Sequence, residues 1–460
     1  MQDLTKGPVS GHLFKTASFM LVTMIFQTLY FLVDLYWVGR LGKEAVAGVG
    51  VAGNLSFIVL AISQMLGVGT TTLVSHAAGQ RNHERALLVF NQSQVLSTLV
   101  GALFFVIAMM FRTSYARALS ADETTAAMAA DYLLFFLPAM GLQFALVAMA
   151  SALRGIGNFK PGMVVQTATV VINIVLAPFL MFGWVTGRPM GVAGTALATL
   201  IAVLVGVVWL ATYFVGKDAY LKFVRYDMTP QLKLWGDMLK IGLPAGAEFG
   251  LMAVYLMIVY SVTRPFGAAA QAGFGIGMRI VQAMFMPVVA LGFAVAPVAG
   301  QNFGAGQAER VKAVFRTASM MAATGMFAAA VFCHLAPATL VRLFSDDPAV
   351  IAVGDEYLRI ISWNFVASGV IFVASSMFQA MGNTIPSLLA SISRVLVIAV
   401  PVLVLARMPS FELRWIWYLS VVAILMQLTV ILLLLRREFR LRLDSMPAAP
   451  LPDSAPATTG

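Results

Sequence analysis

The sequence predicts an all-α membrane protein: twelve transmembrane helices in two six-helix bundles related by a pseudo-twofold axis. Three observations predict it. First, mean hydropathy is +0.88 and only 11% of the 460 residues are charged, against roughly a quarter in soluble proteins. Second, apolar runs of the ~20 residues that a helix needs to cross a ~30 Å hydrocarbon core recur twelve times between Leu13 and Leu435. They leave short connections and no room for a sizeable soluble domain. Third, the chain repeats itself at an offset of 225: "LGKEAVAGVGVAG" from Leu41 matches "FGAAAQAGFGIGM" from Phe266, and "GQRNHERA" from Gly79 matches "GAGQAERV" from Gly304. The same shift carries Asp122 onto Asp347, and Ser151, Gly157, Asn158 and Pro161 onto Ser376, Gly382, Asn383 and Pro386. These matches fall on loop and boundary residues rather than on interchangeable Leu and Val. Six spans per half is an even number, so both copies cross in the same direction, and a cleft between them is the natural place for a substrate.

The N-terminus carries Lys6 and Lys15 ahead of a stretch too long for a signal-peptide core, so the first span is expected to be retained. Along it Thr23, Gln27, Tyr30 and Asp34 are spaced 4, 3 and 4, one polar stripe on one helix face. That face cannot meet lipid, because a carboxylate in hydrocarbon costs several kcal/mol unless protonated or paired. It lines a cavity, where Asp34 would bind a proton or a cation, or a helix interface. The fifth span carries Gln166, Thr169 and Asn173 on one face, with Pro178 five residues on. Asn173 either shares a cavity with Asp34 or joins two helices, as amides often do between spans. Thr195 and Thr199 stand one turn apart on the sixth span and read as packing or back-bonded threonines.

Lys217 to Lys240 is the longest polar connection. It divides the chain into a first bundle over 1–220, a linker over 221–240 and a second bundle over 241–443. The Pro/Ala-rich end, 444–460, cannot bury enough surface to fold and is expected to be a disordered tail. The seventh span has its own acid, Glu248, one turn beyond Pro244. Shifting Asp34 by 225 gives Val259, and shifting Glu248 back gives Thr23, so the acids break the symmetry that the loops keep. Arg279 and Gln282 on the eighth span, Asn364, Ser368 and Ser375 on the tenth and Arg394 on the eleventh complete the second half's polar list, and the two arginines need partners or water.

The formal charge is +10, and its distribution excludes a nucleic-acid reading. Of the thirty basic residues, eighteen, Arg154 among them, fall on segments on the side of the termini, ten fall on the opposite side, and Arg279 and Arg394 lie within spans. Excess Lys and Arg marks the cytoplasmic side, so both termini are expected there. Cys333 is the single cysteine and has no disulfide partner. His12, His76, His83 and His334 do not cluster and no HExxH or CxxC occurs, so no metal site is expected. "GVGTT" at Gly67 and "GFGIGMR" at Gly273 lack a P-loop lysine and suit close helix packing.

With "VDLYWVGRLG" closing the first span, "GQRNHERA" and "GAGQAERV" after the second and eighth, "ALRGIGNFKP" and "FQAMGNTIP" after the fourth and tenth, and "NIVLAPFLMFGW" on the fifth, the chain resembles the multidrug and toxic compound extrusion (MATE) family over roughly residues 10 to 440. The resemblance implies the MATE fold and cation-coupled antiport, in which H+ or Na+ runs in while organic, often cationic drugs or toxic metabolites run out. It implies a multi-pass protein of the bacterial cytoplasmic (inner) membrane, in contact with the lipid bilayer, working as a monomer without a cofactor and not as an enzyme. By the same resemblance Asp34, Asn173 and Thr199, with Thr195 competing for the last place, form the cation-coupling set. Gln27, Tyr30, Gln166, Glu248, Arg279 and Gln282 are expected around the substrate cavity. Bacterial members often carry a second acid four residues after the asparagine, and Ala177 stands there instead. A hard cation wants several oxygens whereas a proton needs one carboxylate, so H+ coupling in a DinF-like branch is favoured over Na+.

Two other functions remain to be separated from drug export. A lipid-linked precursor flippase of the same superfamily would favour several arginines in its cavity, and only Arg279 and Arg394 lie within spans. An intramembrane enzyme needs clustered acids or histidines at one face. Asp122, Glu123, Asp346 and Asp347 are the candidates, and they read as solvated loop charge.

Overall fold

The computed structural model describes residues 1–184, 187–216, 219–405, 407–408 and 410–446. Twelve helical stretches are long and apolar enough to cross a membrane, and among the described residues there are no strands. The first six spans are α1 (Val9–Gly39), α2 with α3 (Lys43–Gly53 and Leu55–Gly79), α4 (His83–Leu119), α5 (Glu123–Gly155), α6 (Lys160–Phe182) and α7 (Val192–Val215). The second six are α8 (Leu232–Thr263), α9 (Ala268–Gly304), α10 (Ala308–Leu335), α12 with α13 (Pro348–Ile361 and Phe365–Ala380), α14 (Ile385–Leu405) and α15 (Arg414–Arg442). The short α11 (Pro337–Arg342) precedes α12. We call the side that holds the start of α1 and the end of α15 the terminal face.

The 225-residue offset reappears in the backbone. Arg81 and Gly306 both take positive φ, 56° and 71°, and so do Gly157 and Gly382, at 77° and 74°. After each pair the chain closes the same turn: Asn82 N–H donates to Ala77 O at 3.0 Å and Gln307 N–H to Asn302 O at 2.9 Å, and Asn158 N–H donates to Leu153 O at 2.9 Å and Asn383 N–H to Phe378 O at 3.0 Å. The aspartates shared by the repeat cap equivalent helices, Asp122 accepting from the Thr125 amide at 2.7 Å and Asp347 from the Ala349 amide at 2.8 Å. Between the halves α3 packs on α8, and α9 packs on α1, its counterpart pair under the pseudo-twofold. Small residues allow this approach: a Cβ at Gly69 would come within 2.6 Å of Met238 O, and one at Gly246 within 2.6 Å of Ala61 O.

The connection between the halves is shorter and better held than its polarity suggests. Helix α8 starts at Leu232, so 232–240 belong to a span rather than to the linker. The preceding turns are tied to two fully buried amides of α4. Asn91 donates to Lys222 O and accepts from the Val224 amide, both at 3.0 Å, while Gln92 donates to Thr229 O at 2.7 Å and accepts from the Gln231 amide at 3.0 Å. Of the predicted tail, Asp444 is described and pairs with Lys312 at 3.0 Å; residues 447–460 lie outside the described residues.

The halves are sealed at the terminal face. Thr72 donates to Gln379 O at 2.9 Å, the His76 ring bonds Ala380 O at 2.6 Å, and Gln301 donates to Gly155 O at 2.9 Å. The N-terminal segment straps over this seam: Gln2 N–H donates to Ile156 O in the first half, and Leu4, wholly buried, exchanges bonds with Gln301 and Asn302 in the second. Arg279 and Gln282, in the distal half of α9, are exposed although α9 is packed by α1, α3, α10, α12 and α13.

Candidate functional site

The polar stripe of α1 meets α6 and α7 in the first half. Asn173 reaches from α6 to the Thr199 hydroxyl at 2.8 Å, Tyr30 Oη lies 3.3 Å from the same hydroxyl, and Thr199 donates to Thr195 O at 3.1 Å. Thr199 is therefore the hub, while Thr195 back-bonds to Val192 O at 2.8 Å. Asp34 stands one turn along α1 from Tyr30. Among the described residues it forms no hydrogen bond and no ion pair, and its Oδ1 is sealed from solvent. Asn173 Oδ1 is likewise buried without a partner. Tyr132 of α5 stands within electrostatic reach of both Tyr30 and Asp34 and joins the pocket. Sequence spacing did not single it out, because its own helix shows no polar stripe around it.

This pocket has an excess of acceptors. A buried oxygen without a donor costs about 1–3 kcal/mol, and here two such oxygens belong to neighbouring helices. A proton on Asp34 supplies a donor; a cation supplies a shared positive centre. Ala177, buried on α6, brings no further oxygen to the pocket.

The other expected cavity residues do not all gather here. Gln27 is exposed on α1, and Gln166 is half-buried on α6 with its backbone O accepting from Thr169 at 2.8 Å. Arg279 and Gln282 project from the exposed stretch of α9. Glu248 is not part of the Asp34 pocket. Its oxygens are taken inside the second half by Ser375 of α13 at 3.0 Å, Ser391 of α14 at 3.3 Å and a short bond from Ser387 of α14. Gln427 of α15 holds Ser391 in turn, at 3.2 Å. Arg394 lies within electrostatic reach of Glu248, forms no ion pair with it among the described residues, and places its guanidinium 5.2 Å from the Tyr255 ring centroid. Arg154, expected on a solvated connection, lies instead in the last turn of α5 between the halves, where Ser151 accepts from it at 2.6 Å.

The comparisons with known proteins agree with this architecture. The MatE family profile matches residues 20–179 and 244–405, one block in each half. The chain is 27% identical over 407 residues to the probable multidrug resistance protein YoeA of Bacillus subtilis, covering 86% of this chain and 87% of the relative. It is 25% identical over 448 residues to the multidrug export protein MepA of Staphylococcus aureus, covering 96% of each. A multidrug resistance MATE family transporter of the MOP superfamily, solved in its outward-facing conformation, superposes with a TM-score of 0.88 at 25% identity over 95% of this chain and 98% of that one. These relatives are named for export and resistance, not for catalysis. With the duplicated twelve-span bundle, the seam closed at one face and the profile matched in both halves, the chain belongs to the MatE family of multidrug and toxic compound extrusion transporters.

Proposed function

We propose that this protein is a secondary multidrug antiporter of the bacterial cytoplasmic membrane, working as a monomer with the terminal face in the cytoplasm, and that it exports organic, often cationic compounds in exchange for H+. The observation that carries this reading is the pocket around Asp34, a half-buried aspartate whose Oδ1 is buried without a hydrogen-bond partner among the described residues, beside a second orphaned acceptor on Asn173. Such a pocket gains by taking up a positive charge and has no internal means of satisfying it. Proton coupling is favoured over Na+ because Ala177 contributes no oxygen where a second acid would complete a cation shell.

The cycle follows from the geometry. With the terminal face sealed, Asp34 takes a proton from the outer side. The protonated carboxyl donates within the Tyr30, Asn173 and Thr199 network, which draws α1 against α6 and α7 and expels the guest. Return of the proton inward resets the pocket when the seam at Thr72, His76 and Gln301 parts. One charge moving inward through 100 mV supplies about 2.3 kcal/mol, roughly a fiftyfold concentration ratio for a neutral guest at one-to-one exchange. A single acid is enough.

The test is efflux of a fluorescent organic cation from everted vesicles under a pH gradient or a Na+ gradient. The parent chain should respond to the pH gradient, and Asp34→Asn should lose at least tenfold of the driven rate. Equal export by mutant and parent under both gradients would remove Asp34 from the coupling step. Translocation of a lipid-linked precursor in place of the dye would favour a flippase.

A further inference from the structure

Just inside the seam, the two halves line a small, partly open chamber of about 20 Å3, room for about one water. Gln64, Gly67, Thr71 and Thr72 of α3 and Arg154 of α5 line it from the first half, and Phe293 of α9 and Gln379 of α13 from the second. Arg154 is the unusual member. A guanidinium presents five donors, and this one uses a single hydrogen bond, to Ser151 Oγ at 2.6 Å. Among the described residues no carboxylate pairs with it. Its other contact is the Phe293 ring, 5.8 Å from the guanidinium carbon to the centroid. Gly67 makes room for the arrangement, because a Cβ there would come within 2.9 Å of Ser151 Oγ and 3.8 Å of Arg154 Nη2.

A cation within membrane-spanning helices is costly unless an anion or water answers it. Here, among the described residues, the half-buried guanidinium is met by the Ser151 hydroxyl and the face of an aromatic ring but by no anion, and that ring belongs to the opposite half. We propose that Arg154 and Ser151 form a subsite for the anionic group, carboxylate or phosphate, of an organic cargo taken up from the terminal face. The planar fork of the guanidinium suits either group bidentately, and the amide of Gln64 and the hydroxyl of Thr71 stand beside it.

The chamber also accounts for release. Once the seam parts, Arg154, Gln64 and Thr71 travel with the first half, and Phe293 and Gln379 with the second. The guanidinium is then bare and open to the terminal side. On closure the ring returns over the guanidinium and the space shrinks to that of one water, which leaves no place for a carboxylate or phosphate. Phe293 thus replaces the cargo's charge as the carrier turns outward. This assignment of the Arg154–Ser151 subsite rests on the alternating export proposed above.

The test is exchange across proteoliposomes with no ion gradient, which needs a working carrier and no coupling. Three probes are followed: ethidium, flavin mononucleotide for the phosphate source and carboxyfluorescein for the carboxylate source. The parent should exchange at least one of the two anions. In Arg154→Gln the ratio of anion to ethidium exchange should fall at least tenfold. Gln64→Glu sets a carboxylate against the guanidinium, pairing rather than stranding it, so it keeps the fold if Arg154→Gln does not; it should lower the same ratio at least fivefold. The proposal is overturned if the parent exchanges neither anion, or if the ratio stays at the parent value in the variants that insert. Loss of gradient-driven export in Asp34→Asn is a separate readout, so coupling and anion binding fail independently.

Discussion

The pocket of Asp34 and the pocket of Glu248 are two acids on one duplicated scaffold, and they are satisfied in opposite ways. Tyr30 and Tyr255, 225 residues apart, are kept in both halves, and each reaches a hydroxyl: Tyr30 that of Thr199 at 3.3 Å, Tyr255 that of Ser420 at 3.0 Å. Around these tyrosines the chemistry differs. In the first half Asp34 and Asn173 leave two buried oxygens without donors. In the second half their counterparts under the offset are Val259 and Ile398, both buried and apolar. The acid has moved to Glu248, where three serine hydroxyls fill its oxygens and Arg394 stands within reach. An unfilled acid can bind and release a charge at little structural cost. A filled one holds three helices in register and cannot be vacated cheaply.

The largest difference should therefore appear when both acids are removed. Glu248→Ala removes the acceptor shared by three serine hydroxyls inside the second half, and should cost about 1–3 kcal/mol, the range for losing a buried hydrogen-bond partner. It should be seen as a lower melting temperature in detergent. Asp34→Asn should move stability by less than about 1 kcal/mol, and upward, because the amide brings donors to a pocket that lacks them. If Asp34→Asn melts as early as Glu248→Ala, the contrast between the pockets is false.

A smaller effect tests the hub. Thr199→Val removes the hydroxyl that Asn173 and Tyr30 share, while Thr199→Ser keeps it. We expect the valine variant to lose about three- to tenfold of gradient-driven efflux, on the scale of one buried hydrogen bond of about 1 kcal/mol, and the serine variant to stay within twofold. Thr195→Val should behave as the parent, because Thr195 bonds only its own helix. Equal losses at both positions would mean that packing, not the network, is what matters there.

The sequence showed the fold well because the repeat sits on backbone-determining residues. The offset that pairs Gly79 with Gly304 also predicts paired left-handed turns at Arg81 and Gly306, and the twelve spans follow from hydropathy. It showed the candidate site in part. Spacing placed Tyr30 and Asp34 on one face and Asn173 on another, but periodicity describes a single helix and does not say which helices meet. That is why spacing does not single out Tyr132 and does not show that Glu248 is bonded within the second half, apart from Asp34. The cage of Glu248 uses Ser387 and Ser391, ordinary residues on an apolar helix whose role depends wholly on α14 packing against α8. Arg154 was counted with the solvated basic residues because hydropathy marks where a span ends, not what lies against its last turn.

The smallest expected effect concerns the seam that both pockets depend on. Asp3 anchors the N-terminal strap: its carboxylate accepts from the Thr5 amide at 2.9 Å and the Thr5 hydroxyl at 2.5 Å and faces Arg81 at 3.7 Å. Burial pushes this carboxyl up, but the Thr5 bonds and the Arg81 charge outweigh it and hold it below the ordinary carboxylate value. A depressed acid contributes stability that is present above its unfolded value, about 3.9, and is lost as pH falls through the lower folded value. Asp3→Asn should therefore speed hydrogen exchange at the Leu4 amide a few-fold near neutral pH, with the difference from the parent vanishing as the medium is acidified below the folded value. Because the strap lies across the seam and touches neither acid, the variant should shift the balance between sealed and parted forms without altering ion selectivity. A change in the coupling ion would show that seam and pocket are not independent.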